Sequence, residues 1–178
     1  LFVVVVNWKF FLMNLSFTFR GPEPLAHATQ GVGEVYEPNY LQIPSLGVGV
    51  PVQYPDRTSE KYFQQALAGG VAHYPGTALP GQSGNMYVFG HSSDLPWASG
   101  DYKTVFALLP RIEVGATIYL TNSTGQRYTY VVREAGVRSA GYTEALSQGE
   151  YKEKLLTLQT SYPVGTALRR YVVVAELK

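Results

Sequence analysis

The segment of residues 155–163 reads LLTLQTSYP, and the interpretation of the whole chain starts from it. Apolar and polar residues alternate within this segment, which is typical of a β-strand buried on one face. The strand brings Ser161 to its end, where Pro163 turns the chain. A hydroxyl at a strand end can act as a nucleophile when a base lies beside it, although a serine that opens a turn is the commoner case.

Other parts of the chain show the same strand character in short stretches. Strands are predicted at 40–44, 48–52, 85–90, 117–121, 126–133, 155–160 and 169–177. Short helices are predicted at 59–67 and 102–109, with one helical turn at 143–148. The first two strands contain Pro and Gly and are expected at an edge or rim. The order of elements has no βαβ rhythm, so we expect a mainly all-β fold, a closed or nearly closed antiparallel barrel of about eight strands with two or three short helices.

Composition supports this fold class and excludes several functions. The 178 residues are 46% apolar and 15% charged, and they include 14 Tyr and 8 Phe, which favour strands. The formal net charge is +1, so nothing in the charge balance indicates a nucleic-acid partner. The chain has no cysteine, which excludes a disulfide scaffold, thiolate metal sites and, for this chain as written, a cysteine nucleophile.

Residues 1–34 differ in composition from the rest of the chain. Residues 1–6 form an unbroken apolar run of six, whereas a membrane span needs about 20, and Trp8 and Lys9 follow this run. We interpret the start of the segment as the outer end of a signal-anchor in a chain that is a fragment, since it begins without Met. A short packed helix or an edge strand is the alternative. The later part, rich in Gly, Pro and Ala, is predicted to be a stem that leads into a folded domain at 35–178.

Two further places carry residues suited to catalysis. His91 follows the predicted strand at 85–90 and is flanked by small residues, which suits an imidazole that acts at a cleft; a solvated loop histidine is the alternative. Arg169 and Arg170 begin the last predicted strand, and because side chains alternate along a strand, the two point to opposite faces. One of them can enter a cleft and hold an oxyanion, unless both are charged edge residues that prevent aggregation.

Taken in order, these motifs resemble the sortase family. Residues 157–161 read Thr-Leu-Gln-Thr-Ser, which is similar to the Thr-Leu-x-Thr-Cys strand of sortases. Arg170 follows Ser161 by nine residues, and Gly90-His91 resembles the Gly-His that ends a central sortase strand. The run AHYPGTALPGQSGN at 72–85 resembles the segment that leads to the sortase histidine. The resemblance covers about residues 36–178, and it is specific because the motifs occur together in the family's order.

This resemblance implies an eight-stranded barrel with antiparallel and mixed pairing, two or three short helices, and the activity of a membrane-anchored bacterial surface transpeptidase. Such enzymes cleave a sorting signal of the Leu-Pro-x-Thr-Gly kind and join the acyl group to an amine. The resemblance implies that His91 is the general acid and base, that Ser161 holds the nucleophile position and that Arg170 stabilises the oxyanion. Arg169 is the fallback for that last role. Two residues are expected to line the substrate groove: Thr160 and Phe89.

The chain departs from the family at the nucleophile, where Ser161 replaces the cysteine. A thiol has a pKa of about 8.5 that a nearby cation lowers easily. A serine hydroxyl is much weaker and needs both a general base and a group that orients the base; Asp94 is the one candidate for that group. Because the chain has no cysteine at any other position either, we expect an inactive form in which a single catalytic cysteine has been replaced on purpose. A natural serine variant and a natural pseudoenzyme are the alternatives.

Two other functions fit parts of the pattern. A non-catalytic β-barrel module that binds peptide or carbohydrate would suit the aromatic content, but it would leave the order of the motifs unexplained. A serine hydrolase that uses Ser161 and His91 would need a carboxylate beside the histidine. Glu144, Glu150 and Glu153 lie where some sortases bind calcium, but they lack an Asp-rich loop and are interpreted as solvated surface. We therefore expect no cofactor and no metal.

Overall fold

The strands of this protein close into one barrel in a computed structural model that describes residues 8–22, 36–93, 100–149 and 152–178. The strands are β1 (Tyr40–Ile43), β2 (Val48–Gln53), β3 (Val71–His73), β4 (Gly84–Phe89), β5 (Thr117–Thr121), β6 (Arg127–Ser139), β7 (Lys154–Tyr162) and β8 (Arg169–Leu177). In those ranges the α-helices are α1 (Trp8–Arg20) and α2 (Glu60–Ala68). Short 3-10 helices lie at Pro44–Leu46, Leu109–Arg111 and Glu144–Leu146.

The order of strands around the barrel is β1-β2-β3-β4-β7-β8-β6-β5, and β5 pairs with β1 to close it. Two neighbouring pairs are parallel, β2 with β3 and β4 with β7, and the other pairs are antiparallel. The expectation of a mainly β, eight-stranded barrel of mixed pairing is confirmed. The sequence did not indicate β3, because three residues are too few to show an alternating pattern.

The prediction that β1 and β2 lie at an edge is wrong. Each has a neighbour on both sides, β1 between β5 and β2, and β2 between β1 and β3. The proline in β2 is tolerated because of its place: Pro51 is the last β2 residue paired with β1, and pairing with β3 begins at Val52. Its missing N–H therefore falls where the strand passes from one partner to the other.

The prediction of a helix at 102–109 is also wrong. The chain forms turns there and reaches a 3-10 helix only at Leu109–Arg111. The Phe106 N–H donates to the carbonyl oxygen of His91 at 2.9 Å, so it is not available for a helical bond to its own segment. Phe106 and Leu109 are both fully buried in the barrel core. The apolar residues whose spacing suggested a helix therefore serve as core residues of a turn segment.

The helix predicted at 59–67 is confirmed as α2. Ser59 takes the N-cap position with extended backbone, and the helix ends at Gly69. α2 lies over β3 on the outside of the barrel, and its Phe63 ring meets the Phe89 ring edge to face with 5.0 Å between centroids. This aromatic contact covers the outer face of β4 next to the strand end.

The helix α1 packs against the barrel from outside. Met13 and Phe17 contact the buried core cluster. The guanidinium of Arg111 stacks over the Phe17 ring at 5.2 Å and donates to Asn14 Oδ1 at 2.9 Å and to Thr18 Oγ1 at 3.2 Å. One basic side chain of the barrel thus contacts three residues of the helix. Of the structures considered for the N-terminal segment, residues 8–20 form the short packed helix.

The rest of the N-terminal segment is only partly described. Residues 1–7 and 23–35 lie outside the described ranges, and so does the predicted boundary between residues 34 and 35. Across the described ranges, no helix combines the length and the apolar character that crossing a membrane requires. The anchor, the stem and the boundary therefore stay predictions.

Candidate active site

The polar residues singled out in the sequence meet where β4 and β7 end and β8 begins. β7 and β8 are antiparallel neighbours, and their register sets Ser161 directly opposite Arg170. The Arg170 guanidinium donates through Nη1 to Ser161 Oγ at 3.5 Å. Both residues are half-buried, so each is partly accessible to solvent while the sheet supports it.

His91 reaches the same strand end through β4. β4 and β7 run parallel with Phe89 beside Gln159, and the Gly90 N–H extends the pairing by donating to the Gln159 carbonyl at 3.1 Å. His91 is the next residue but lies beyond the end of β4, so its position beside Ser161 stays a prediction. His91 is half-buried, and its own carbonyl accepts the Phe106 N–H.

Alternation along the strands then decides which residues share a face. Val88, Leu158 and Val173 belong to the barrel core and are 0% exposed. Residues one step away along each strand point outward. Ser161 and Arg170 fall on this outward set, because Ser161 is three residues from Leu158 and Arg170 is three from Val173. One sheet face therefore presents these two residues, and His91 follows the end of the neighbouring strand β4.

Arg169 has a different environment. It pairs with Tyr162 and is exposed, whereas Arg170 pairs with Ser161 and contacts its hydroxyl. The strand register, which the sequence left open, thus brings Arg170 and not Arg169 to the serine. A further contact closes this region, because the Gly165 N–H in the β7–β8 loop donates to Ser93 Oγ at 2.9 Å, just after His91.

The two residues expected to line the groove lie in unlike places. Thr160 is 2% exposed, and its hydroxyl donates to the Gly90 carbonyl at 2.8 Å. It is one residue away from Ser161 and so lies on the opposite sheet face, where it secures the backbone that leads to His91. Phe89 is half-buried on the outer face. A contact of either residue with substrate stays a prediction.

A tyrosine and a glutamine that the sequence analysis did not select lie beside these residues. The Tyr87 hydroxyl donates to Gln159 Oε1, and both stand on the outer face, Tyr87 two residues before the end of β4 and Gln159 three before the end of β7. Burial raises the pKa of Tyr87, and the positive charge of Arg170 offsets this only in part. Counting by twos back from His91 and Ser161 would have found the pair.

The described residues contain no group of three or more His, Cys, Asp or Glu placed to hold a metal ion. Two acidic residues raised in the sequence analysis, Asp94 and Glu150, lie outside the described ranges. The site chemistry that can be described therefore consists of an imidazole, a hydroxyl, a guanidinium and a neutral carboxamide, which together suit acyl transfer.

Comparison with known proteins agrees with this reading of the fold. A family model described as the sortase domain matches residues 41–178, more than half of the chain. Sortase D of Bacillus subtilis (strain 168) is 27% identical over 136 residues, which cover 75% of this chain and 60% of that protein. The chain thus spans less than two thirds of the length of this curated relative.

Two solved structures show the same fold at similar sequence distance. A Clostridium perfringens sortase D5 transpeptidase is 27% identical with a TM-score of 0.63, and the match covers 78% of this chain and 77% of the other. Sortase C1 from Streptococcus suis is 27% identical with a TM-score of 0.65, covering 81% and 74%. Since the family model covers the whole barrel and these structures share its architecture, the chain belongs to the sortase family.

Proposed function

We propose that this chain is the catalytic domain of a sortase-type transpeptidase in which Ser161 occupies the position of the nucleophile. The observation that carries the proposal is the 3.5 Å contact between Arg170 Nη1 and Ser161 Oγ, at the strand end that also leads to His91. A guanidinium beside the attacking atom is well placed to stabilise the negative charge that develops on a substrate carbonyl oxygen.

In the active form, a cysteine at position 161 attacks the carbonyl carbon of the scissile peptide bond. Arg170 donates to the carbonyl oxygen as it gains charge, and His91, as imidazolium, gives its proton to the leaving amine while the C–N bond breaks. The acyl group remains on sulfur as a thioester. An acceptor amine then attacks the thioester, its proton passes to His91, and the thiolate leaves.

With serine at this position the same groove is expected to bind substrate without turning it over. A cysteine near a protonated imidazole exists largely as thiolate at neutral pH, whereas a serine hydroxyl needs a general base to remove its proton in the attack itself. We propose that this form still binds substrate, because it keeps the binding residues. We also propose that it is inactive, because it lacks the thiol.

The substrate class that we propose is a sorting signal of the Leu-Pro-x-Thr-Gly kind, with an amine as acceptor. The Clostridium perfringens relative is a transpeptidase, which supports acyl transfer to an amine as the reaction. The uncharged carboxamide of Gln159 and the single cation of Arg170 suit recognition of peptide carbonyl oxygens.

The decisive experiment is mass spectrometry of the Ser161 protein and of Ser161→Cys with candidate sorting peptides and an amine acceptor. A thioester adduct and a transpeptidation product are expected only with Ser161→Cys. Adding His91→Ala to that variant should abolish the product, because no imidazolium remains to protonate the leaving amine. Comparable turnover by the Ser161 protein would contradict the proposal and indicate a serine mechanism.

We also propose that the enzyme acts at the bacterial cell surface, with residues 1–34 as the membrane-proximal segment and stem of a catalytic domain at 35–178. The support is the apolar run at 1–6 with Trp8 and Lys9 after it. Binding to lipid vesicles by the protein with and without residues 1–34 tests this. The form with residues 1–34 should bind the vesicle surface through its apolar run, and equal binding by both forms would contradict a membrane-proximal role.

A further inference from the structure

Two side-chain pairs bridge β4 and β7 on their outer face. They differ in how many hydrogen-bonding atoms of the carboxamide already have a partner within the protein. In the first pair, Thr157 Oγ1 donates to Asn85 Oδ1 at 2.9 Å, and both residues are buried. The Asn85 Nδ2 donates to the Ala145 carbonyl at 2.7 Å. Oxygen and nitrogen of this carboxamide are both used within the protein, so the first pair is structural.

The second pair stands two residues nearer the strand ends. The Tyr87 hydroxyl donates to Gln159 Oε1, which leaves the glutamine nitrogen, with its two N–H donors, on the other side of the carboxamide. Within the described ranges Gln159 Nε2 makes no hydrogen bond, and the residue is half-buried. The carboxamide oxygen is therefore held by one partner, while its two N–H donors have no partner among the described residues.

The Tyr87 hydroxyl is available as a hydrogen-bond donor over a wide pH range. Tyr87 is 3% exposed, and burial raises the pKa of its phenol, so the hydroxyl stays protonated throughout the physiological pH range. A neutral tyrosine hydroxyl can donate only one hydrogen bond, and here it goes to the glutamine oxygen. This bond favours the orientation in which the carboxamide oxygen faces Tyr87 and the nitrogen faces away from it.

We infer that Gln159 binds substrate by donating to a backbone carbonyl two residues from the scissile bond, and that Tyr87 is the positioning residue that orients it. This inference rests on the proposed function. The distance follows from strand geometry: Gln159 and Ser161 are two residues apart on β7, about 6.6 Å, which equals two residues of an extended peptide bound alongside. Gln159 and Arg170 then hold two carbonyl groups of the same peptide.

The test measures the affinity of the Ser161 protein for a sorting peptide, and the KM and kcat of Ser161→Cys. Gln159→Leu is expected to weaken binding and raise KM about fivefold, which is the effect expected from the loss of one neutral hydrogen bond. The change in kcat should be much smaller. Tyr87→Phe should raise KM about threefold, and it should have no further effect when Gln159→Leu is already present.

A modified peptide identifies the partner atom. Replacing the carbonyl two residues before the scissile bond with a methylene should weaken binding to the unaltered protein by a similar factor, and should cost nothing more in Gln159→Leu. The matched control is Thr157→Val, which removes the first hydroxyl–amide pair on the same two strands. It is expected to lower the melting temperature while leaving KM unchanged.

The outcomes separate this inference from the proposed function. If Ser161→Cys is inactive while peptide affinity still depends on Gln159, the proposed function fails and the inference stands. If Ser161→Cys is active and Gln159→Leu keeps its KM, the inference is overturned. If the methylene replacement weakens binding to Gln159→Leu by the same factor as it weakens binding to the unaltered protein, the inference is also overturned. Tyr87→Phe provides this comparison if Gln159→Leu does not fold.

Discussion

The two faces of the sheet formed by β4, β7 and β8 differ completely although they belong to the same strands. The inner face carries Val88, Leu158 and Val173, all fully buried in the barrel core. The outer face carries hydrogen-bonding groups, such as Gln159 and Arg170, which are half-buried and face a groove. Because side chains alternate, stability and chemistry are separated by a single step along the chain.

This difference shows why the candidate site lies at strand ends. In the middle of the strands the outer face is also occupied, by the Asn85–Thr157 pair and the 3-10 helix at Glu144–Leu146 that covers it. At the ends of β7 and β8, half-buried polar groups such as Arg170 can reach a ligand while the paired strands keep them in place. The comparison between the two faces can be tested by substitutions on each.

The largest expected effect is on the inner face. Leu158→Ala removes a fully buried side chain from the barrel core and should lower the free energy of unfolding by about 2–5 kcal/mol. Leu168→Ala, at a leucine 73% exposed in the β7–β8 loop, is the matched control and should change it by about 0.5 kcal/mol or less. Urea titration measures both. Similar losses at the two positions would mean that the inner face does not dominate stability.

The next effect is on the outer face and concerns rate. In the Ser161→Cys background, Arg170→Ala should lower kcat/KM by about 10²–10³, the usual cost of losing one donor to an oxyanion, with a small change in melting temperature. Arg138, which pairs with Arg170 from β6 and contacts Glu134, provides the control. Arg138→Ala should keep the rate. A large loss with Arg169→Ala instead would show that the fallback assignment is the right one.

The smallest expected effect is at Thr160, which belongs to the inner face but supports the outer one. Thr160→Val removes the hydrogen bond to the Gly90 carbonyl and should cost about 1–3 kcal/mol of stability. In Ser161→Cys it should lower kcat and leave KM unchanged, because the residue acts through the backbone that leads to His91. Thr160→Ser should restore kcat. A rise in KM alone would instead support a groove-lining threonine.

Local patterns predicted much of the fold. β5 and β8 begin and end where their alternation and flanking turns indicated, and α2 follows its N-cap serine. The errors arose where an apolar pattern has two meanings. The residues before Pro110 have helical spacing because they plug the barrel, and β1 and β2 contain Pro and Gly although barrel closure gives both of them two neighbours.

The candidate site divides in the same way. His91, Ser161 and Arg170 were selected from motifs, and the contact between Arg170 and Ser161 follows from a register that no local pattern contains. Tyr87 and Gln159 were not selected, since a tyrosine and a glutamine within strands are common and carry no motif. Their hydrogen bond joins residues 72 positions apart.

Residue identity and neighbours a few positions away were enough to predict the β character of the domain, the chemical groups available for catalysis and the serine where the family has a cysteine. The arginine that contacts Ser161, the orientation of the Gln159 carboxamide and the docking of α1 against Arg111 followed only from the folded chain. Strand register and helix docking come from contacts between distant parts of the chain, and a slip of one residue would exchange the two faces of the strand that moves.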